Sequence, residues 1–338
     1  MNKTFIVLAV ILQLFVLAYM AGEREYILHN GKVIHLRTAP IDPRDMFRGD
    51  YVRLNYEISR IPLNLIKNAD GAGEIKKDAK IYARLKEGPN GLYELVNADL
   101  QKPEEGLYLS GRIPYPYRKP QAGNPIRVNY GIEAYFVEQG KGRKIEKRRG
   151  SRTKVQVPLE MEIAIGPGGK AVIKGYRWSR LGIGLKWLRN PPTNSEDTET
   201  PQSATFHLTL ANASDEPLAI VNLPDYCSFF LESVPWAKKS WNLAHNPCED
   251  IFPSDFDVVI LAAQQEKKFT FDFSTERWLV KGKGNGKVKQ ISTLDRTEQF
   301  RIVYRPPNEE QSRHLSQKDI IWHGYLGSRV FHGRGQID

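Results

Sequence analysis

Apolar and polar positions alternate with a period of two along most of this chain, the pattern of strands that bury one face. The clearest case is residues 51–58, where Val52, Leu54, Tyr56 and Ile58 share one face and Tyr51, Arg53, Asn55 and Glu57 the other. Runs at 79–86 and 92–98 flank Gly88-Pro89-Asn90-Gly91, and runs at 155–165 and 170–176 flank Gly166-Pro167-Gly168-Gly169. Each pair predicts a hairpin. Residues 24–29 and 32–38 lie about Asn30-Gly31, a dipeptide suited to a type I′ turn, and predict a first hairpin. Residues 107–113 add one more strand. Past residue 204 the short runs 206–210, 218–223, 229–234, 257–262, 268–273, 278–281, 288–292 and 299–304 keep an even spacing, and 319–332 adds an edge strand. That rhythm predicts an immunoglobulin-like β-sandwich.

Residues 5–22 break the alternation: they are uncharged and apolar, with Gln13 the one strongly polar side chain. At ~1.5 Å per residue they nearly match a hydrocarbon core of ~30 Å. Lys3 precedes them, so the amino end is expected in the cytoplasm and the bulk of the chain outside it. A cleaved signal is the competing reading, but Ala18-Tyr19-Met20 and Tyr19-Met20-Ala21 are poor cleavage sites and no cysteine offers lipid attachment. Residues 190–204 are rich in Pro, Ser, Thr and acids and read as a linker. The fold class expected is therefore mainly β, with a signal-anchor transmembrane helix at 1–23, a β-rich domain at 24–188, a linker at 189–204 and the sandwich at 205–338. The expected location is a bacterial cytoplasmic membrane, single-pass, with the bulk periplasmic in a Gram-negative host.

The formal charge of +10 is concentrated in part at Lys141, Arg143, Lys144, Lys147, Arg148, Arg149, Arg152 and Lys154. Outside the membrane such a patch suits anionic lipid or an acidic envelope polymer rather than nucleic acid, and residues 143–149 suggest one or two helical turns. The two cysteines, Cys227 and Cys248, are expected to form a disulfide in an exported protein. The seven histidines form no metal-spaced cluster, and His245 with the two cysteines lacks a fourth zinc ligand.

Ahead of the strand at 51–58 lies a proline- and charge-rich turn in which Asp42, Arg44, Asp45, Arg48 and Asp50 fall within nine positions and Gly49 precedes Asp50. Their density predicts a loop pinned by charge-assisted hydrogen bonds. The aspartate spacing matches no EF-hand. Gly49-Asp50-Tyr51, Leu54 and Tyr56 together spell Gly-Asp-Tyr-x-x-Leu-x-Tyr. The chain resembles the GDYXXLXY family over about residues 24–178, with a second block at Tyr130-Gly131-Ile132-Glu133 and Tyr135. The resemblance implies that the two blocks meet in space, and that the protein works with an integral-membrane partner; it carries no established activity.

Gly-x-Ser-x-Gly, His-Glu-x-x-His and P-loop patterns do not occur, and residues 281–287 lack the Gly-Lys-Ser/Thr ending of a phosphate loop. A peptidase reading of Gly49-Asp50-Tyr51-Val52 fails for want of a serine in residues 32–48. Nothing in the pattern asks for a cofactor or metal. The reading is a non-catalytic binding or assembly component of the cell envelope. Its contact residues would be Asp42, Arg44, Asp45, Arg48, Gly49, Asp50, Tyr51, Leu54 and Tyr56, the loop tyrosines Tyr115 and Tyr117, and Tyr130, Glu133 and Tyr135. The alternative is an envelope hydrolase acting on peptide or glycan, pairing Glu133 with Asp45 or Asp50.

Overall fold

The computed structural model describes residues 3–38, 51–67, 74–117, 125–139, 141–142, 145, 148, 154–188, 205–234, 241–245, 248, 251–282, 286–295 and 297–332. The turn at 39–50 and the linker at 189–204 lie outside these residues, as do Arg143, Lys144, Lys147, Arg149 and Arg152.

The chain begins with α1 (Lys3–Asn30), 28 residues long and apolar enough over its first part to cross a membrane. At ~1.5 Å per residue the helix runs about 42 Å, more than a bilayer core needs, so its last turns stand clear of the hydrocarbon. This corrects the expected hairpin at 24–29. Residues 23–30 hold no proline or glycine and include good helix formers, so nothing stops propagation. Asn30-Gly31 ends a helix as well as it turns a hairpin. The Gly31 amide donates to the Ile27 carbonyl (2.8 Å), and a Cβ on Gly31 would come within 2.5 Å of that oxygen. Ile27, 3% exposed, packs with Ala164 and Val172, so the anchor helix ends against the folded domain. Lys170 pairs with Glu23 at the same junction.

Next come β1 (Lys32–Arg37), β2 (Tyr51–Arg53), β3 (Arg60–Ile61), β4 (Ile66–Lys67), β5 (Lys80–Glu87), β6 (Tyr93–Asp99) and β7 (Tyr108–Arg112). They are followed by β8 (Ile126–Arg127), β9 (Ala134–Phe136), β10 (Leu159–Ile165) and β11 (Ala171–Trp178). β1 pairs not with a neighbour in sequence but with β10, in the order β1-β10-β11. The β5 and β6 hairpin forms as expected, within the order β4-β6-β5-β7. Their inward residues, among them Ile34, Leu36, Ile81, Leu109, Leu159, Met161 and Ile163, make one core. The strand at 51–58 is shorter than its pattern, ending at Arg53 with a 3-10 turn following at Glu57–Ser59, yet the alternation is obeyed: Val52, Leu54, Tyr56 and Ile58 are all buried.

The second unit contains β12 (Leu181–Trp187), β13 (Thr205–Asn212), β14 (Leu218–Val221), β15 (Phe229–Ser233), β16 (Trp241–Leu243) and β17 (Val258–Leu261). It continues through β18 (Glu266–Asp272), β19 (Val280–Gly282), β20 (Val288–Lys289), β21 (Gln299–Tyr304), β22 (Leu326–Gly327) and β23 (Phe331–His332). β12 lies on the first-domain side of the expected linker, but it pairs along its length with β13, and Leu181, Ile183 and Leu185 enter the second core. The order β12-β13-β18 packs on β15-β21-β22 through an aromatic core: the Phe206 ring lies 5.0 Å from Phe331 and the Phe229 ring 4.9 Å from Phe269. The Tyr304 hydroxyl accepts from the Val221 amide (2.9 Å) and donates to its carbonyl (3.1 Å), tying β21 to β14. Cys227 and Cys248 form a disulfide. The chain is mainly β, but its strands fall into several short sheets and an immunoglobulin-like topology is not confirmed.

Candidate functional site

Two places converge on the 51–58 strand. One is its pairing with the block at 126–136. β2 lies antiparallel to β9, with Tyr51 opposite Phe136 and Val52 opposite Tyr135, and β3 lies antiparallel to β8. The Leu54 amide donates to the Glu133 carbonyl (2.8 Å). Two tyrosines then cross between the segments: the Tyr56 hydroxyl donates to the Ile132 carbonyl and the Tyr130 hydroxyl to the Ile58 carbonyl, both at 2.8 Å. Each segment thus satisfies a backbone acceptor of the other inside the core, where an unmet acceptor costs about 1–3 kcal/mol.

Both phenols are pushed above their ordinary range, first by burial and then by the Glu133 carboxylate. The folded state holds these protons more tightly than the unfolded chain, so their contribution to stability is complete below pH about 10 and declines as pH rises beyond it. The melting temperature is expected to drop above pH 10, and to drop less in the Tyr56→Phe, Tyr130→Phe double variant relative to its own value at pH 8.

Glu133 is committed to this turn. Its carboxylate accepts from the Tyr130 amide and from the Gly131 amide (3.0 Å), and Gly131 sits at φ +80°, a left-handed angle that a side chain would resist. Leu54, Tyr56 and Tyr130 are core side chains rather than surface ones. Tyr51 and Phe136 carry the exposed side of the ribbon, their rings 5.8 Å apart, with Phe136 71% exposed. Tyr135 packs edge-on against Tyr176. Of the loop tyrosines, Tyr115 projects into solvent, whereas Tyr117 does not: its hydroxyl accepts from the Arg127 amide (3.0 Å) and its backbone pairs with Ile75. In the basic run, residues 141, 142, 145 and 148 are helical, Lys141 pairs with Glu138, and Arg148 lies over the Trp178 ring. Asp42, Arg44, Asp45, Arg48, Gly49 and Asp50 lie outside the described residues.

The second place is a cleft of about 1160 Å³ between the two units, with Asn55, Tyr56, Glu57 and Ile58 in its wall. Arg37, buried on the face of β1 opposite to Ile34 and Leu36, reaches across: it donates to the Tyr325 carbonyl, stands 3.4 Å from Glu160, and lies 5.2 Å from the Tyr325 ring centroid. Arg177 holds the other oxygen of Glu160 at 2.8 Å. The Tyr325 hydroxyl donates to Glu57, and the Asn90 amide donates to the His323 carbonyl. Arg301 and Arg305 share Glu232 at 2.9 and 3.2 Å. Burial opposes the charge on Arg37, but Glu57 and Glu160 outweigh it and hold its pKa above the usual value. Burial, then Glu57, pushes the Tyr325 phenol well up.

Residues 13–175 match the model of a family described as GDYXXLXY protein. Over these residues the chain is similar to the GDYXXLXY family. The match takes in the later part of the apolar helix and ends within β11, so in this chain it spans part of the helix, β1 to β10 and the start of β11. Leu54 and Tyr56 of the octapeptide and Tyr130 of the second block tie these two segments of the matched region together. No curated protein and no solved structure matches the chain.

The Arg37, Glu160, Arg177 and Tyr325 assembly was missed by sequence reasoning. Within β1 and β10 opposite charges alternate with the inward apolar positions and so read as an ordinary solvent face, and Tyr325 is 288 residues from Arg37 and carries no local mark.

Proposed function

We propose that this protein is a membrane-anchored binding or assembly component of the cell envelope. In this reading it stays attached through α1, carries its two β units outside the cytoplasm and works with an integral-membrane partner. The observation that supports the reading best is the continuity of α1 from its apolar stretch into the contact of Ile27 with Ala164 and Val172. A helix that ends in the domain's packing sets the domain close to the bilayer surface, within reach of a partner's exposed loops. The half-buried Tyr51 and the exposed Phe136, with the charged residues 42–50 that precede Tyr51 in sequence, are the proposed contact surface. Glu133 uses its carboxylate on backbone amides, which gives the hydrolase reading no support from geometry.

The test is crosslinking and affinity recovery of the full-length protein from native membranes, beside an Asp50→Ala, Tyr51→Ala variant of matched expression. Recovery of one stoichiometric integral-membrane protein, lost in the variant, is the expected result. Recovery unchanged in the variant would assign the turn to structure alone, and extraction of the protein without a partner would overturn the reading.

A further inference from the structure

We propose that α1 meets a transmembrane helix of an integral-membrane partner through Gln13, on the side of the helix that faces the folded domain. This inference rests on the anchored reading proposed above and names a contact within the membrane for it. The apolar stretch runs from Phe5 to Gly22, and Gln13 stands eight residues from one end and nine from the other. At ~1.5 Å per residue its amide lies about 12 to 14 Å inside either boundary, at the middle of the hydrocarbon. Lysine or arginine near a helix end reaches the headgroups; a glutamine at this depth does not. Its own chain does not take it up either. Near the end of the same helix Asn30 donates its amide to the Tyr26 carbonyl (3.2 Å), but Gln13 is exposed and bonds to no described residue through its side chain. In hydrocarbon a primary amide keeps two donors and an acceptor unmet unless another helix supplies partners.

The side on which Gln13 lies selects the occupant. Residues seven and fourteen apart share one side of a helix, so Gln13, Met20 and Ile27 stand in line. Ile27 is the residue seated on Ala164 and Val172, and its side chain fills the space where a Cβ on Gly166 would stand. A helix laid against Gln13 therefore comes down over the domain. A second copy of α1, inserted in the same direction, would carry its own residues 23–30 about 12 Å past the hydrocarbon and into β10 and β11 of the first. A partner helix that ends at the membrane surface meets no such obstacle. Ala9, one turn before Gln13, leaves room for its backbone, and a Ser, Thr, Asn, Gln or protonated carboxyl group at mid-depth would answer the amide.

The experiment is photocrosslinking in native membranes, with the full-length protein carrying p-benzoylphenylalanine in place of Met20 or, on the opposite side of the helix, of Phe15. The Met20 probe is expected to give one discrete adduct that contains an integral-membrane protein, and the Phe15 probe none. Gln13→Leu in the chain with the Met20 probe should lower that adduct about fivefold, and Gln13→Asn should keep most of it. Leucine makes the span more apolar, so failed insertion does not account for a loss. Equal adducts from both probes, a yield unmoved by Gln13→Leu, or an adduct made of two copies of this chain would each overturn the inference. Affinity recovery judges the wider reading separately. A partner recovered from native membranes without a Gln13-dependent adduct would sink this inference alone. Chain recovered without its apolar helix, or with no partner by either method, would sink both.

Discussion

Arg37→Met is expected to lower the stability of the folded protein by about 3 kcal/mol and to loosen its two units from one another. Arg37 is 6% exposed and touches both the Glu160 carboxylate of the first unit and the Tyr325 carbonyl of the second. Methionine keeps most of the packing volume, so the loss isolates charge and hydrogen bonding. Breaking a buried ion pair costs about 3–5 kcal/mol when the partner is left alone. Here Glu160 retains Arg177, which places the loss at the lower end. Denaturant unfolding gives the stability, and amide exchange over residues 323–328 reports the loosening. A stability change below about 1 kcal/mol with unaltered exchange would show that Arg37 is not the tie between the units.

Tyr56→Ala is expected to cost about 3–5 kcal/mol, as for other large aromatic truncations in a core. Tyr56→Phe separates the hydroxyl from the ring and should cost about 1–3 kcal/mol, because the Ile132 carbonyl loses its donor inside the core. Tyr130→Phe should cost a similar amount through the Ile58 carbonyl. The two hydroxyls hold the same pair of segments, so the double variant should cost less than the two single losses combined. Strict additivity would mean that each bond acts alone and that the crossing pair is not a unit. The comparison also separates the octapeptide's structural part from any contact role: partner recovery should survive Tyr56→Phe and fail in the Asp50→Ala, Tyr51→Ala variant.

The octapeptide explains itself once its partner segment is in view. Its buried face was legible from alternation alone, because a strand with one side in the core must place Val52, Leu54, Tyr56 and Ile58 together whatever it packs on. The hairpins about Pro89 and Pro167 were legible for a similar reason, since turn residues between two alternating runs specify an adjacent antiparallel pair. The Asn30-Gly31 turn was misread because that dipeptide closes a helix and a hairpin equally well. What decides between them is the seat that Ile27 finds on Ala164 and Val172, more than a hundred residues away.

By itself, then, the sequence determined the apolar helix, the predominance of strands, the faces those strands bury, the cysteine pair and the family likeness of the first half. All of these depend on neighbours a few residues apart, or on a motif read as a string. Only the tertiary structure decided that β1 pairs with β10, that β12 belongs to the second core, that Tyr56 and Tyr130 cross, and that Arg37 meets Tyr325 beside the cleft. These are contacts between segments tens to hundreds of residues apart. They are selected by the free energy of packing whole sheets together, and each charged or hydroxyl-bearing side chain taken alone is as well suited to solvent as to the partner it finds.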